Sequence, residues 1–257
     1  MKREHKEEMK ARARNIAMIV AYDGTGYHGF QRQTPPIVAV QNVLEEKLQL
    51  VFGDSIELAA AGRTDAGVHA SGQVVNFFTN GRIPTERIIK AVNSLLPDDI
   101  AVQSVWEADH DFSARHSAKS KTYLYRLHSG KTPDPLLSRY CWHIEYPLST
   151  SDMSRAMGYL EGVHDFSAFR ASGGAPMSPV REMYDAKLSM EGAVIMLRFH
   201  ASGFLYHMAR NIVGTLVRIG EGLEEPDDIV RVMESHDRSQ AAATAPARGL
   251  LLEHVEY

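Results

Sequence analysis

One acidic residue stands alone in a loop-like stretch of the chain, and its type and setting suit chemistry. Asp65 is the only carboxylate between Leu58 and Thr85, and Arg63 lies two residues before it. In an extended backbone, side chains two residues apart point to the same side. A guanidinium beside a carboxylate favours the ionised form of the acid. Such a carboxylate can act as a nucleophile or can anchor a polar ligand.

The stretch around Asp65 also permits a purely structural interpretation. The sequence of residues 64–67, Thr-Asp-Ala-Gly, fits a type I turn in which the aspartate bonds its own backbone. Apolar runs at 56–61 and 74–78 predict strands on either side, so the loop joins two strands. Because loops on a rigid scaffold often carry functional residues, a turn and a reactive site are both compatible with this pattern.

An acid-free stretch of strand-like sequence offers a surface for nucleic acid. Residues 112–133 contain no acid and carry five basic residues, Arg115, Lys119, Lys121, Arg126 and Lys131. Within this stretch, Tyr123 and Tyr125 alternate onto one face of a predicted strand, 121–128. Aromatic rings on such a strand usually pack a half-buried sheet, but one ring can instead stack on an unpaired base.

The stretch 203–214 places a basic residue on an otherwise apolar helix. Arg210 stands between Met208 and Ile212. Such an arginine either snorkels to solvent or, when it is partly buried, needs a counter-ion. The lone Asp65 is the natural candidate for that counter-ion.

The stretch AGRTDAGVHASGQVVNF, residues 61–77, resembles the signature of the TruA-type tRNA pseudouridine synthases. The resemblance extends over about residues 15–257 and includes the segments around Tyr123 and Arg210. It implies that Asp65 is the catalytic residue, that Tyr123 stacks on the target uracil and that Arg210 pairs with Asp65.

These interpretations define one set of candidate site residues. The catalytic candidates are Asp65, Arg63, Tyr123 and Arg210. The substrate-binding candidates are Tyr123, Arg63, Lys121, Arg126 and Leu205. We expect Arg63 to hold the flipped nucleotide or to occupy the space that it leaves.

The resemblance implies an enzyme that isomerises uridine to pseudouridine in the anticodon stem-loop of tRNA, at positions 38, 39 and 40. The target base must be flipped out of its stack to reach an aspartate nucleophile. Whether the carboxylate attacks the ring, attacks the sugar or removes a ribose proton stays open. The resemblance further implies a homodimer whose subunits share one tRNA. Because substrate and product have the same composition, we expect no cofactor and no metal.

Two other function classes remain open at this stage. A non-catalytic RNA-binding protein of the same fold would keep Tyr123 and the basic strands but would not need Asp65. The loop at 24–29, Gly-Thr-Gly-Tyr-His-Gly, matches G-x-G-x-x-G after a strand, as in a dinucleotide-dependent oxidoreductase. That use requires a helix to start at the loop, whereas the next predicted helix begins near Val40.

Composition describes an ordinary globular protein of 257 residues, with 44% hydrophobic and 23% charged residues. The single Cys141 excludes an intrachain disulfide and favours a reducing compartment. No apolar run approaches the roughly 18 residues of a membrane span. The first fourteen residues lack the apolar segment of a signal peptide. We therefore expect a cytoplasmic protein with no membrane association.

The net charge of −4 does not exclude a nucleic-acid partner, because the acids and bases are segregated along the chain.

Hydrophobic periodicity predicts the elements that must position these residues. Predicted strands cover 15–22, 56–61, 74–78, 100–106, 121–128, 140–146, 183–190, 193–200 and 250–255. Predicted helices cover 40–51, 84–96, 151–160, 204–219 and 227–234. The helix at 40–51 is expected to end at Gly53, and the one at 84–96 to bury Ile88, Val92 and Leu95.

The order of these elements predicts the fold class. The first part reads βαββαβ, which is typical of ferredoxin-like and RRM-like domains, and the remainder partly repeats it. We expect an α+β protein in which two such halves join into one broad, mostly antiparallel sheet with helices on one face. The predicted divisions are a flexible basic amino terminus at 1–14, a first half at 15–111 that carries Asp65, and a second half at 112–257.

Overall fold

The computed structural model describes residue 8, residues 11–174 and residues 176–257. Most of the predicted flexible terminus, namely residues 1–7, 9 and 10, lies outside the described residues. The chain divides into two compact units. The first unit comprises the chain up to residue 118 together with residues 254–257, and the second comprises residues 119–253.

The first unit has the predicted βαββαβ order. Its elements are β1 (Arg14–Tyr22), α1 (Val40–Phe52), β2 (Ala59–Ala60), β3 (His69–Thr79), α2 (Thr85–Asn93) and β4 (Ile100–Ala108). The strands lie in the order β4-β1-β3-β2, and each neighbouring pair is antiparallel. This is the strand order of a ferredoxin-like domain, as the element order predicts.

The core of the first unit forms where the two helices pack against the strands. The helix α1 buries Leu44 and Leu48, and α2 buries Ile88 and Val92. The prediction that Leu95 joins this core is wrong, because 42% of its surface is exposed. The helix ends at Asn93, two residues too early for Leu95 to continue its apolar face.

The amino terminus of α1 is capped by backbone from an earlier loop. Its N-cap residue, Ala39, has no side-chain hydrogen bond to offer. Instead, the N–H of Val40 donates to Gly29 O at 3.2 Å, and the N–H of Gln41 donates to Phe30 O at 2.9 Å. These carbonyls satisfy donors that the first turn of a helix otherwise leaves unpaired. The loop that ends at Phe30 is thereby fixed against α1.

The second unit contains the remaining elements, except that residues 254–256 of β10 belong to the first unit. These elements are β5 (Ser120–Ser129), β6 (Trp142–Ile144), α3 (Thr150–Gly158), β7 (Gly162–Asp165), β8 (Val180–Glu191), β9 (Val194–Ala201), α4 (Met208–Gly220), α5 (Asp228–Ser235) and β10 (Leu250–Glu256). The strand order is β10-β5-β9-β8-β7. The pairs β5–β9, β9–β8 and β8–β7 are antiparallel, and β6 runs parallel to β5. The α+β class and the mostly antiparallel pairing are therefore confirmed.

Three details of the second unit depart from or refine the prediction. The hairpin between β8 and β9 turns at Gly192 and Ala193, one residue later than the predicted Glu191–Gly192 turn, because Glu191 still pairs with Val194; Gly192 has a φ of +57°. The helix α4 begins at Met208 instead of residue 204, because His207 takes a left-handed conformation that ends the preceding loop. The short strand β7 has no counterpart among the predicted elements. None of the helices in the described part of the chain has the length and apolarity of a membrane span.

Candidate active site

The Asp65 loop lies between β2 and β3 and exposes its charged residues. Thr64 is buried, whereas Asp65 is half-buried and Arg63 is exposed. This alternation agrees with the prediction that Arg63 and Asp65 share one side of the backbone. Among the described residues, however, Arg63 forms no hydrogen bond or ion pair, so the two charges do not pair with one another. The guanidinium is therefore accessible to a ligand.

The turn in this loop begins at Asp65, one residue later than the predicted Thr64 turn. The N–H of Val68 donates to the carbonyl oxygen of Asp65 at 3.1 Å. Gly67, at the third position, has a φ of +78°. A positive φ at that position is the mark of a type II turn and favours glycine. The catalytic candidate thus occupies the first position of a hydrogen-bonded turn.

Glycines of the loop at 24–29 pack directly against the Asp65 loop. A Cβ atom on Gly24 would collide with the carbonyl oxygen of Val68. A Cβ on Gly29 would lie 2.7 Å from Thr64 O, and Gly29 also has a φ of +82°. Only a three-residue 3-10 turn follows the first glycine. Because no α-helix starts at this loop, the dinucleotide-binding alternative is wrong, and close backbone packing explains the glycines.

The histidine of the same stretch is a structural residue. His69 is buried, and its Nδ1 atom accepts a hydrogen bond from the Gly24 N–H at 3.0 Å. Within the described part of the chain, no group of three or more His, Cys, Asp or Glu side chains could hold a metal ion.

Two buried polar residues that the sequence did not single out contact the Asp65 loop from below. The Tyr22 hydroxyl lies 2.8 Å from Thr64 Oγ1. Gln73 donates from Nε2 to the carbonyl oxygen of Gly62 at 2.8 Å. Burial raises the pKa of Tyr22 to about 12, so the phenol keeps its proton and remains a hydrogen-bond donor. The only sequence signal for Gln73 is a polar side chain at the start of an apolar strand.

The two tyrosines of β5 lie on the buried face of their strand. Tyr125 is fully buried, and its hydroxyl donates to Pro246 O at 2.7 Å. Burial raises the pKa of Tyr125 well above its ordinary value. Tyr123 is 8% exposed, and its ring meets that of Phe204 edge to face with centroids 4.8 Å apart. Tyr125 therefore serves packing, and Tyr123 keeps a small accessible surface.

Arg210 is a half-buried residue in the first turn of α4. Its Nε atom donates to the carbonyl oxygen of Ala245 at 2.8 Å. The charge of Arg210 acts against the burial-induced rise in the pKa of Tyr125, so the two side chains are close. Arg210 thus does not simply snorkel into solvent. Its pairing with Asp65 stays a prediction.

The remaining substrate-binding candidates lie in the second unit. Lys121 and Arg126 are half-buried residues of β5. Burial raises the pKa of Cys141, and the positive charge of Arg126 partly offsets this effect, which places Arg126 near the thiol. Leu205 is buried, and its carbonyl oxygen accepts from the Met208 N–H at the start of α4. Leu205 thus keeps a small accessible surface beside the start of α4, and its contact with substrate stays a prediction.

The chain matches a protein-family model described as tRNA pseudouridine synthase over residues 18–117 and 156–257. Asp65 and Arg210 fall inside these matched segments. Tyr123, together with Lys121 and Arg126, falls between them.

Three curated relatives are similar over nearly the whole chain, and each is named tRNA pseudouridine synthase A. The protein of Thermoanaerobacter sp. (strain X514) is 45% identical over 244 residues, which cover 95% of this chain and all of that protein. The protein of Acetivibrio thermocellus is 43% identical over 244 residues, with the same coverage of both chains. The protein of Geobacillus kaustophilus is 45% identical over 244 residues, which cover 94% of each chain.

Proposed function

This chain belongs to the tRNA pseudouridine synthase family, and we propose that it isomerises uridine to pseudouridine in tRNA with Asp65 as its catalytic carboxylate. The observation that carries this proposal is the setting of Asp65. The half-buried carboxylate of Asp65 begins a hydrogen-bonded turn, and the residues just before it, Gly62 and Thr64, are fixed from the core. A preorganised charge of this kind is what a catalytic group requires.

The proposed reaction balances without any added reagent. The bond between uracil N1 and ribose C1′ breaks, the uracil turns, and a new bond forms between C5 and C1′. The hydrogen of C5 leaves as a proton, and N1 gains a proton. Asp65 acts either as a nucleophile or as a base at one of these steps. No oxidant, reductant or nucleotide is consumed.

The substrate must present an isolated base to Asp65. A uridine inside a stacked stem is out of reach, so the nucleotide is flipped out at a cost of a few kcal/mol. The exposed Arg63 has no protein partner among the described residues. It is therefore suited to bind a phosphate of the flipped nucleotide or to fill the space that the base vacates.

The other candidates receive roles in the same scheme. Tyr123 offers an aromatic ring on which the uracil stacks. Arg210 supplies a positive charge that keeps Asp65 ionised. Lys121 and Arg126 add positive charge for the RNA backbone, and Leu205 contributes an apolar wall.

The preferred targets in this proposal are the uridines at positions 38, 39 and 40 of the anticodon stem-loop. The working form is a cytoplasmic homodimer that binds one tRNA across its two subunits. Support comes from the resemblance of residues 61–77 to the TruA-type signature. Light scattering of the purified protein, alone and with tRNA, measures the number of subunits.

The activity is tested by release of tritium from tRNA labelled at C5 of its uracils. We expect purified protein to release label with no added cofactor, because C5 exchanges its hydrogen for the new glycosidic bond. Replacing the uridines at 38, 39 and 40 with cytidine should abolish release, and replacing other uridines of the loop should not. Release that depends on NAD or NADP, or no release from any tRNA, would reject the proposed function.

A further inference from the structure

Two buried polar side chains contact the Asp65 loop from the apolar core of the first unit. Tyr22, at the end of β1, and Gln73, in β3, are both buried, and Gln73 has no exposed surface at all. The Tyr22 ring packs against the ring of Phe30 with centroids 6.0 Å apart. Buried polar groups lower stability unless they are hydrogen-bonded. Two such residues directly under a candidate catalytic loop therefore need an explanation.

Each of these side chains contacts a different residue of the Asp65 loop. Gln73 donates from Nε2 to Gly62 O at 2.8 Å. The Tyr22 hydroxyl lies 2.8 Å from Thr64 Oγ1, and either hydroxyl can donate. Gln73 also lies near the Tyr22 hydroxyl, since it acts against the burial-induced rise in the pKa of Tyr22. The two buried side chains therefore hold two separate points of the loop.

These two contacts hold the residue before Arg63 and the residue after it. Thr64 is fixed a second time through its backbone, since the Phe30 N–H donates to Thr64 O at 3.1 Å. Both neighbours of Arg63 are thus held by groups that cannot move without disturbing the core.

We propose that Tyr22 and Gln73 are positioning residues for catalysis, which fix the Gly62–Thr64 backbone so that Arg63 and Asp65 face the substrate. The inference rests on the proposed function of Asp65. Neither residue touches the substrate. Their contribution is geometric, because a displacement of about 1 Å at a reacting group can lower the rate by roughly 100-fold.

The test compares variants that break the Tyr22–Thr64 contact with a variant that keeps it. Tyr22→Phe and Thr64→Val each remove one hydroxyl and keep the side-chain volume, whereas Thr64→Ser keeps the hydroxyl. Tyr257→Phe is the matched control, because it removes the hydroxyl of a half-buried tyrosine that donates to Ala114 O at 2.8 Å in the same unit. For each protein, we would measure the melting temperature, the affinity for tRNA and the single-turnover rate of tritium release well below melting.

We expect Tyr22→Phe and Thr64→Val to release tritium roughly 10- to 100-fold more slowly from bound tRNA, with the affinity for tRNA within about twofold of wild type. Thr64→Ser should restore the rate. The double variant should be no slower than the slower single variant, because both remove the same hydrogen bond between Tyr22 and Thr64. Tyr257→Phe should lower the melting temperature with an unchanged single-turnover rate.

A purely structural role predicts a different pattern. In that case Tyr22→Phe behaves like Tyr257→Phe, melting earlier with a wild-type rate, and the inference is rejected. Failure of the proposed function is distinguishable, because the wild type itself would then be inactive or the Asp65→Asn variant would remain active.

Discussion

Arg210 and Ala245 exchange two hydrogen bonds. The side chain of Arg210 donates from Nε to Ala245 O at 2.8 Å, and the Ala245 N–H donates back to Arg210 O at 3.1 Å. Ala245 is buried, and it belongs to the segment that precedes the last strand. The first turn of α4 and this closing segment are therefore fixed to each other, and the guanidinium of Arg210 is held in one orientation.

Replacing Arg210 should reduce both stability and turnover. In Arg210→Met the buried carbonyl of Ala245 loses its side-chain donor, which costs about 1–3 kcal/mol of unfolding free energy. Loss of the charge proposed to act on Asp65 should lower turnover on the order of 100-fold. Thermal unfolding and tritium release measure the two effects. The control is Arg218→Met in the same helix. The exposed ion pair of Arg218 with Glu224 should contribute little to the free energy of unfolding. Unchanged stability and turnover in Arg210→Met would refute both proposed roles of Arg210.

Gly24 should tolerate no side chain. Because a Cβ there meets the carbonyl oxygen of Val68, Gly24→Ala must displace the backbone that follows Asp65, at a cost of about 1–3 kcal/mol. Gly26 lies two residues away, and a Cβ on it would meet no atom within 4 Å. Urea unfolding of Gly24→Ala and Gly26→Ala compares the two sites directly. Equal stability of the two variants would contradict the close packing of the two loops.

Acid should destabilise the first unit partly through Asp54. Hydrogen bonds from Thr79 Oγ1, at 2.6 Å, and from the Asn80 N–H, at 2.7 Å, hold the pKa of Asp54 below its usual value. A carboxylate with a lowered folded-state pKa contributes stability that is present above its unfolded pKa and is lost as the pH falls through the folded value. The free energy of unfolding should therefore fall below pH of about 4, as measured by urea titration.

The variant Asp54→Asn should weaken that dependence. It removes the titrating group, so its unfolding free energy should fall less steeply below pH of about 4 than that of the wild type. Asp98→Asn is the control, because Asp98 is exposed and makes no hydrogen bond among the described residues. Identical pH profiles for wild type and Asp54→Asn would show that these hydrogen bonds do not contribute.

Substitutions of the two tyrosines of β5 should have different effects, one on stability and the other on turnover. Tyr125→Phe loses one hydrogen bond to Pro246 and should lower stability by about 1 kcal/mol while the turnover of folded protein stays unchanged. Tyr123→Ala removes the proposed stacking surface and should weaken transition-state binding by about 1–3 kcal/mol. Tyr123→Phe keeps the ring and should retain most of the activity. Equal turnover in Tyr123→Ala and Tyr123→Phe would exclude stacking by this ring.

Local patterns in the sequence predicted those parts of the fold that depend on local interactions. The helix α1 ends at Gly53, as the glycine predicts, because this residue adopts a φ of +71° and its N–H closes the last turn. The start of the same helix shows no cap in the sequence. Its cap is the carbonyl groups of Gly29 and Phe30, which only the folded loop brings to the helix. Contacts of this kind have no signal in composition or spacing.

In the candidate site, too, some residues have a signal in the local sequence and others are recognised only in the folded structure. Asp65 and Arg63 could be singled out because their charges stand alone between apolar runs. Tyr22 and Gln73 could not, since a tyrosine at the end of a strand fits an apolar pattern and a single buried glutamine is a weak signal. The turn begins at Asp65, one residue later than the sequence predicted. Gly67 adopts a positive φ, and a type II turn requires such a residue at its third position. The conformational demand of one glycine thus decided where the carboxylate lies.

The most direct test of the proposed chemistry is tritium release by Asp65→Asn at saturating tRNA. This variant keeps the size and the hydrogen-bonding shape of the side chain but removes its charge. We predict that it binds tRNA with near wild-type affinity and releases no label, whereas Asp111→Asn, an exposed aspartate in the same unit, releases label at the wild-type rate. Near-normal release by Asp65→Asn would contradict the assignment of Asp65 as the catalytic residue.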